Sequence, residues 1–266
     1  MTMIEQLSFA DLARHETGGH EFAQRESSAT RQLTLPGGYV AADGSVHRRL
    51  LVRELTGADE EALFDREYKS DAQRVSAFLA RTIEAVEGRR QPVDSAFVEA
   101  LSIGDRDYLL LRMRQLDLGD TVHQVARCPS CAQKVDVDFA ISELPLRHAP
   151  QPQPAYAVEA GGRKLQVRLP NGADQAALEA LPSANPAVAN SVLFARVVLD
   201  VNGEGPPSEE DVRGWPIAMR AELIAWLETN APGPDLFIDI ACPYCRADMS
   251  YSFDLDAFFL PSGRRA

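Results

Sequence analysis

Two stretches far apart in the chain alternate apolar and polar residues strictly: Val135, Val137, Phe139 and Ile141, then Met249, Tyr251, Phe253 and Leu255. A period of two predicts strands with one covered face. Upstream, Tyr39 to Ala41 and Val46 to Leu55 are β-like. They flank Asp43-Gly44, a dipeptide suited to the positive φ angles of a tight hairpin. Thr56, with Asp59 three residues on, predicts the capped start of a helix over about 58–67. Val75, Phe78, Leu79, Ile83 and Val86 share one face of a longer helix expected over about 71–87, ending at Gly88. After Pro92, Asp94 or Ser95 opens a short helix. Ser102 with Asp105 opens another over about 103–116 that stops at Gly119, and Val122 to Ala126 follow as a strand.

The same order then recurs. Arg48-Arg49-Leu50 and Val52-Arg53 return as Arg163-Lys164-Leu165 and Val167-Arg168 at an offset of 115. Gly57-Ala58-Asp59 returns as Gly172-Ala173-Asp174 and Ala62-Leu63 as Ala177-Leu178, while Ser76, Ala80, Arg81, Val86 and Gly88 are identical to Ser191, Ala195, Arg196, Val201 and Gly203. Asn171 takes the capping place of Thr56, Gly161-Gly162 the hairpin turn, Ser208 caps the next helix and Trp215-Pro216 starts the last. Between the two series, Pro145, Pro150, Pro152 and Pro154 predict an extended linker. A period near 115 is a domain and not a solenoid unit of about 20–50 residues. The expected fold class is α+β: two tandemly duplicated α+β lobes, 34–146 and 155–262, joined by a proline-rich linker, 147–154. A flexible N-terminal arm, 1–33, precedes them, with Leu7, Phe9 and Leu12 as a short amphipathic turn.

At 266 residues with 45% hydrophobic and 25% charged positions, the chain reads as globular. No run approaches the roughly 20 apolar residues that span a bilayer. Met1 to Gln6 lack the basic cluster and apolar core of a secretory signal, so a reducing compartment is expected. The 27 Lys and Arg against 39 Asp and Glu leave a formal charge of −12, which opposes phosphate binding except at a local patch such as Arg48, Arg49 and Arg53, or Arg264-Arg265.

The candidate chemistry lies in Cys128-Pro129-Ser130-Cys131 and Cys242-Pro243-Tyr244-Cys245, which contain all four cysteines at an offset of 114. A strand, a tight Cys-Pro-x-Cys turn and a returning strand form a knuckle that offers two thiolates from a hairpin tip. A closed zinc site takes four ligands in a tetrahedron, so Cys128, Cys131, Cys242 and Cys245 are expected to share one structural Zn2+ and fasten the lobes together across a pseudo-two-fold axis. Two other readings follow from the same residues. Zinc ribbons bind nucleic acid, and Cys-Pro-Tyr-Cys is also a thiol–disulfide tetrad. The latter needs a helix start to depress the first cysteine's pKa, whereas Arg246 to Phe253 alternate like a strand. His15 and His20 have no zinc spacing, His47, His123 and His148 are isolated, and no phosphate loop, His-Glu-x-x-His or nucleophile elbow is present. Catalytic residues are expected to be none.

Several stretches carry a family likeness: Leu35-Pro36-Gly37-Gly38, Val52-Arg53-Glu54-Leu55-Thr56-Gly57-Ala58-Asp59-Glu60, Ile103-Gly104-Asp105-Arg106-Asp107-Tyr108-Leu109-Leu110, and the first knuckle with Asp138-Phe139. It continues through Leu169-Pro170-Asn171-Gly172-Ala173-Asp174 to Leu255-Asp256-Ala257-Phe258-Phe259. Together these resemble the T4-like baseplate hub and hub-assembly chaperone family of contractile phage tails and extracellular contractile injection systems. The resemblance implies a non-enzymatic role in baseplate assembly. The implied partners are hub, spike or wedge proteins, with no nucleic acid, membrane or small-molecule substrate. It places the protein in the cytoplasm during assembly, or in a released particle.

Overall fold

A computed structural model describes residues 31–63, 67–149, 151–182 and 185–252. The expected arm up to position 30, Phe253, the Leu255–Phe259 stretch and Arg264-Arg265 lie outside the described residues.

The first sheet has the antiparallel order β1 (Gln32–Val40), β2 (Val46–Val52), β3 (Ile83–Val86). Its buried face, with Leu33, Leu35, Leu50 and Val52, packs on α2 (Asp71–Thr82), α3 (Ser95–Ala100) and α4 (Ile103–Leu118); α1 (Gly57–Leu63) lies at the margin. The second sheet runs β7 (Tyr156–Ala160), β8 (Arg163–Val167), β9 (Val198–Val201). It covers a separate core with α6 (Pro186–Val197), α7 (Glu209–Arg213) and α8 (Ile217–Asn230), including Phe194, Trp215, Met219 and Leu223. Between the sheets in sequence lie β4 (Thr121–Arg127), β5 (Lys134–Ala140) and the two-residue strand β6 (Leu146–Arg147), and α5 (Gly172–Glu179) follows β8 within the second half. The chain closes with β10 (Gly233–Pro234), β11 (Phe237–Ala241) and β12 (Asp248–Ser252).

One expectation fails in the same way in the first sheet's helix and finds its match in the second. The helix expected over 71–87 ends at Thr82, and Ile83 to Val86 form β3. Ile83 and Val86 satisfy a helical period and also the two inward positions of a short strand, so spacing alone does not separate the states. The backbone turns extended at Ile83, whose N–H still donates to Leu79 O, and at its counterpart Val198, which donates to Phe194 O. β-branched residues favour that switch. Four expected caps are in place, whereas Thr56 donates its hydroxyl to Asp59 and caps no helix N–H with its side chain. The Asp94, Ser102, Asn171 and Ser208 side chains accept from the N–H groups of Phe97, Asp105, Asp174 and Asp211.

Contacts recur at matching positions. Leu50 pairs with Val86 as Leu165 does with Val201, and the ladder irregularity after Leu51 recurs after Gln166. Asp59 takes a two-pronged ion pair from Arg53 at 2.6 and 2.6 Å, and Asp174 takes one from Arg168 at 2.5 and 2.8 Å. Arg106 donates to Ala72 O and Val98 O, and Arg220 donates to Ala187 O and Val212 O. Each arginine ties the first turn of one helix to the end of the next through charge-assisted hydrogen bonds to carbonyl oxygens.

The two halves meet head to tail. The loop before α5 lies along the loop before α4: Ile103 N–H donates to Pro170 O, Gly172 N–H donates to Leu101 O, and Ser102 bridges Asn171. Gly172 sits on the Arg106 guanidinium, where a Cβ would lie 2.4 Å from Nη1. Nearby, Pro232 O would lie 1.8 Å from a Cβ at position 104, so Gly104 has to be glycine. Asp105 reaches the other way, accepting from Gly37 N–H at 2.7 Å and Gly38 N–H at 3.0 Å. The proline-rich stretch is anchored at its start: β6 pairs with β10, and Ala149 N–H donates to Pro36 O.

Gly104→Ala should destabilise the protein by about 2 kcal/mol or more in denaturant unfolding, although alanine is the better helix former by about 1 kcal/mol at an open site. Acid sensitivity gives a second check. The Arg53 guanidinium holds the Asp59 carboxyl below the usual carboxylate range, and Asp174 is lowered as well, Arg168 and Arg196 outweighing burial. A depressed folded pKa stabilises above about pH 4, and that stability is lost as pH falls below it. Asp59→Asn should therefore cost about 2 kcal/mol at pH 7 and flatten the loss of stability between about pH 4 and pH 2.

Candidate metal centre

The remaining strands form two hairpins. β4 and β5 pair from Thr121–Ala140 to Arg127–Lys134, and β11 and β12 from Phe237–Ser252 to Ala241–Asp248. Neither hairpin hides its apolar face alone. They stack on each other, burying Ala126, Val135, Val137 and Met249 between them, with Ile240 and Tyr251 half-buried at the edge. This alternation is the one legible in the sequence. It brings both tips to one end of a small shared core.

Each tip is shaped by its own backbone. Cys128 N–H donates to Gln133 O and Ala132 N–H to Cys128 O; in the second tip, Cys242 N–H donates to Ala247 O and Arg246 N–H to Cys242 O. Ala132 and Arg246, four residues after the first cysteine in each tip, both take positive φ, 59° and 62°. That left-handed residue costs energy without glycine, and it returns the chain into β5 or β12. The returning element after Cys245 is a strand, as its alternation predicts, so no helix start faces Cys242.

The four sulfurs converge. All lie within 4.8 Å of one another, with Cys128 Sγ 3.7 Å from Cys245 Sγ and Cys131 Sγ 3.7 Å from Cys242 Sγ. The crossed pairing means that exchanging the two tips leaves the pattern unchanged, a local two-fold arrangement. A regular tetrahedron with metal–sulfur bonds of about 2.3 Å has edges of about 3.8 Å, close to the two shortest sulfur contacts, 3.7 Å each. Cys128 and Cys242 are buried, Cys131 is half-buried and Cys245 is exposed. The backbone favours negative sulfur: the Cys131 and Ser130 N–H groups point at Cys128, lowering its thiol to about 6. The Gln133 N–H would likewise lower Cys131, but burial and the neighbouring sulfurs outweigh it and hold that thiol up to about 12. Cys245 is also raised, its neighbours outweighing the Ala247 N–H. Cys128 ionises readily while Cys131 and Cys245 resist, as expected when like charges crowd one site. A cation at the centre removes the conflict. The arrangement can hold one metal ion with a complete sulfur shell and no open position for substrate.

The histidines stand apart from it. His123 contacts Asp138 at 2.7 Å on the exposed face of the first hairpin, and His47 Nδ1 lies 2.9 Å from Glu87 O. His15 and His20 lie outside the described residues. Sequence reasoning missed the paired arginines, Arg106 and Arg220. Their signal was present as two arginines at an offset of 114, each with an alanine and a valine whose carbonyls it reaches.

Among the described residues no helix is long and apolar enough to cross a membrane. The model of the T4 bacteriophage base plate protein family matches residues 48–260, and the chain belongs to that family. Comparison with curated proteins and with solved structures finds no match.

A shared ion and two separate ions differ in a double-mutant cycle. Cys128→Ser and Cys242→Ser, one in each tip, should each abolish stoichiometric metal and lower stability by more than ~3 kcal/mol. Their combination should cost little more than either alone. Additive losses with half the metal retained in each single variant would mean that the tips bind independently.

Proposed function

We propose that this base plate family member is a non-enzymatic structural subunit or assembly factor at the hub of a phage-tail-like contractile injection particle. One structural Zn2+, shared by Cys128, Cys131, Cys242 and Cys245, holds its two hairpins together. The convergence of four sulfurs within 4.8 Å is the observation that carries this reading, because it accounts for every cysteine as scaffold. An all-sulfur tetrahedral set suits zinc or iron, and a closed shell with a cation that has no redox chemistry suits a structural role.

The body is read as a tandem duplication, with repeats over 34–146 and 155–262, a linker over 147–154 and an arm before them; β1 carries the first repeat back to Gln32. The recurring ion pairs, arginine ties and knuckle hydrogen bonds support it. So does the presence in each half of a complete sheet, its helices and a knuckle. The partners on this reading are hub, spike or wedge proteins, met in the cytoplasm during assembly or kept in the released particle. The acidic balance, −12, speaks against a phosphate backbone as the partner. The strand after Cys245 speaks against thiol–disulfide exchange.

Affinity isolation from the producing cell, compared with purified particles, tests the role. The expected result is copurification with hub or spike proteins, one zinc per chain, and no thiol–disulfide turnover. Recovery with nucleic acid in a salt-sensitive complex, or turnover lost in Cys242→Ser, would contradict it.

A further inference from the structure

The joint between the halves is one-sided. Its projecting element is Pro170-Asn171-Gly172 at the start of α5, and its receiving element is the loop Leu101-Ser102-Ile103 with Arg106 on α4. Each half carries both elements. The second receiving element is Trp215-Pro216-Ile217 with Arg220, and the second projecting element is Leu55-Thr56-Gly57 at the start of α1. Within the chain these two do not meet.

Their exposure records the difference. Gly172 is buried and packed on Arg106, whereas Thr56, Gly57 and Ala58 are exposed, with no heavy atom within 4 Å of a Cβ placed on Gly57. Ser102, Ile103 and Gly104 are half-buried, whereas Pro216, Ile217 and Ala218 are exposed, Ile217 at 86%. Arg106 is 1% exposed, while Arg220 is half-buried although its Ala187 and Val212 carbonyl contacts are the same. Ile217 is the most exposed large apolar side chain among the described residues. The one built joint shows what covers such a loop.

We propose that these unfilled elements fit a second copy of this chain: the Leu55-Thr56-Gly57 projection of one molecule seats on the Trp215-Pro216-Ile217 loop and Arg220 of the next. The matching hydrogen bonds are Ile217 N–H to Leu55 O and Gly57 N–H to Trp215 O. Ser102 N–H is not used in the internal joint, so Pro216, which has no N–H, is compatible with the same bridge. A head-to-tail contact of this kind is heterologous, so repeated copies close into a ring or extend. The Gly104 approach to Pro232 is not repeated, because Ala218 carries a methyl group there, so the joint between molecules is smaller than the internal one. This inference uses the correspondence between the two halves and depends neither on the metal nor on the hub assignment.

Sedimentation of the full, metal-loaded chain up to millimolar concentration tests it. The wild-type chain should associate reversibly. Ile217→Asp, which spoils the receiving loop, and Gly57→Glu, which blocks the projection, should each be monomeric, with unfolding transitions like wild type. Mixed in equal amounts, the two variants should form a dimer and nothing larger, since each retains one intact element. A monomeric wild-type chain, association untouched by both substitutions, or a mixture that stays monomeric would overturn the proposal. None of these outcomes alters the recurring contacts inside one chain, so the duplication reading stands or falls separately.

Discussion

Four thiols within 4.8 Å set the terms for this molecule. As neutral groups they are weak hydrogen-bond partners, and as thiolates they repel at a spacing where opposing charge is worth several kcal/mol in a partly dry site. The backbone adds N–H groups aimed at sulfur, which favours negative charge further. A divalent cation satisfies all of these demands together. Bound there, it would link residues more than a hundred positions apart. The stacked hairpins bury a small core of their own, and Phe139, Ile238 and Tyr251 also pack on the core of the first sheet.

The metal tips and the lobe joint obey different symmetries. Exchange of Cys128 with Cys242 and of Cys131 with Cys245 preserves the sulfur contacts. The joint at Gly172 and Arg106 has no such exchange, because Gly57 does not touch Arg220. Gly57 and Ile217 are therefore exposed where Gly172 is buried and Ile103 half-buried. Only Gly119-Asp120 separates α4 from β4, so the first hairpin stays on the core of the first sheet, and the stretch through β10 between α8 and β11 brings the second hairpin to it, Ile238 and Tyr251 packing on that core.

Much of this was legible in the sequence, and the exceptions have physical causes. The hairpins, their pairing face and the helix caps follow from period-two alternation and from residues such as Ser102, Asn171 and Ser208. The switch from helix to strand at Ile83 and Val198 did not, since both states place the same apolar residues inward. The Asp-Arg pair in Gly104-Asp105-Arg106 stood out as a family motif, but its function was hidden. A buried arginine that ties Ala72 and Val98 looks like any surface arginine until the loop of the other half covers it. The joint at Gly104 and Gly172 was not legible either, because register between the halves depends on contacts such as Pro232 against Gly104 that carry no periodic signal.

X-ray absorption at the metal edge of the purified, full-length chain is the most direct test of the central claim. The account predicts one zinc per chain with four sulfur neighbours at about 2.3 Å. A shell containing nitrogen or oxygen in place of sulfur, or a protein that folds with no metal and four reactive thiols, would contradict it.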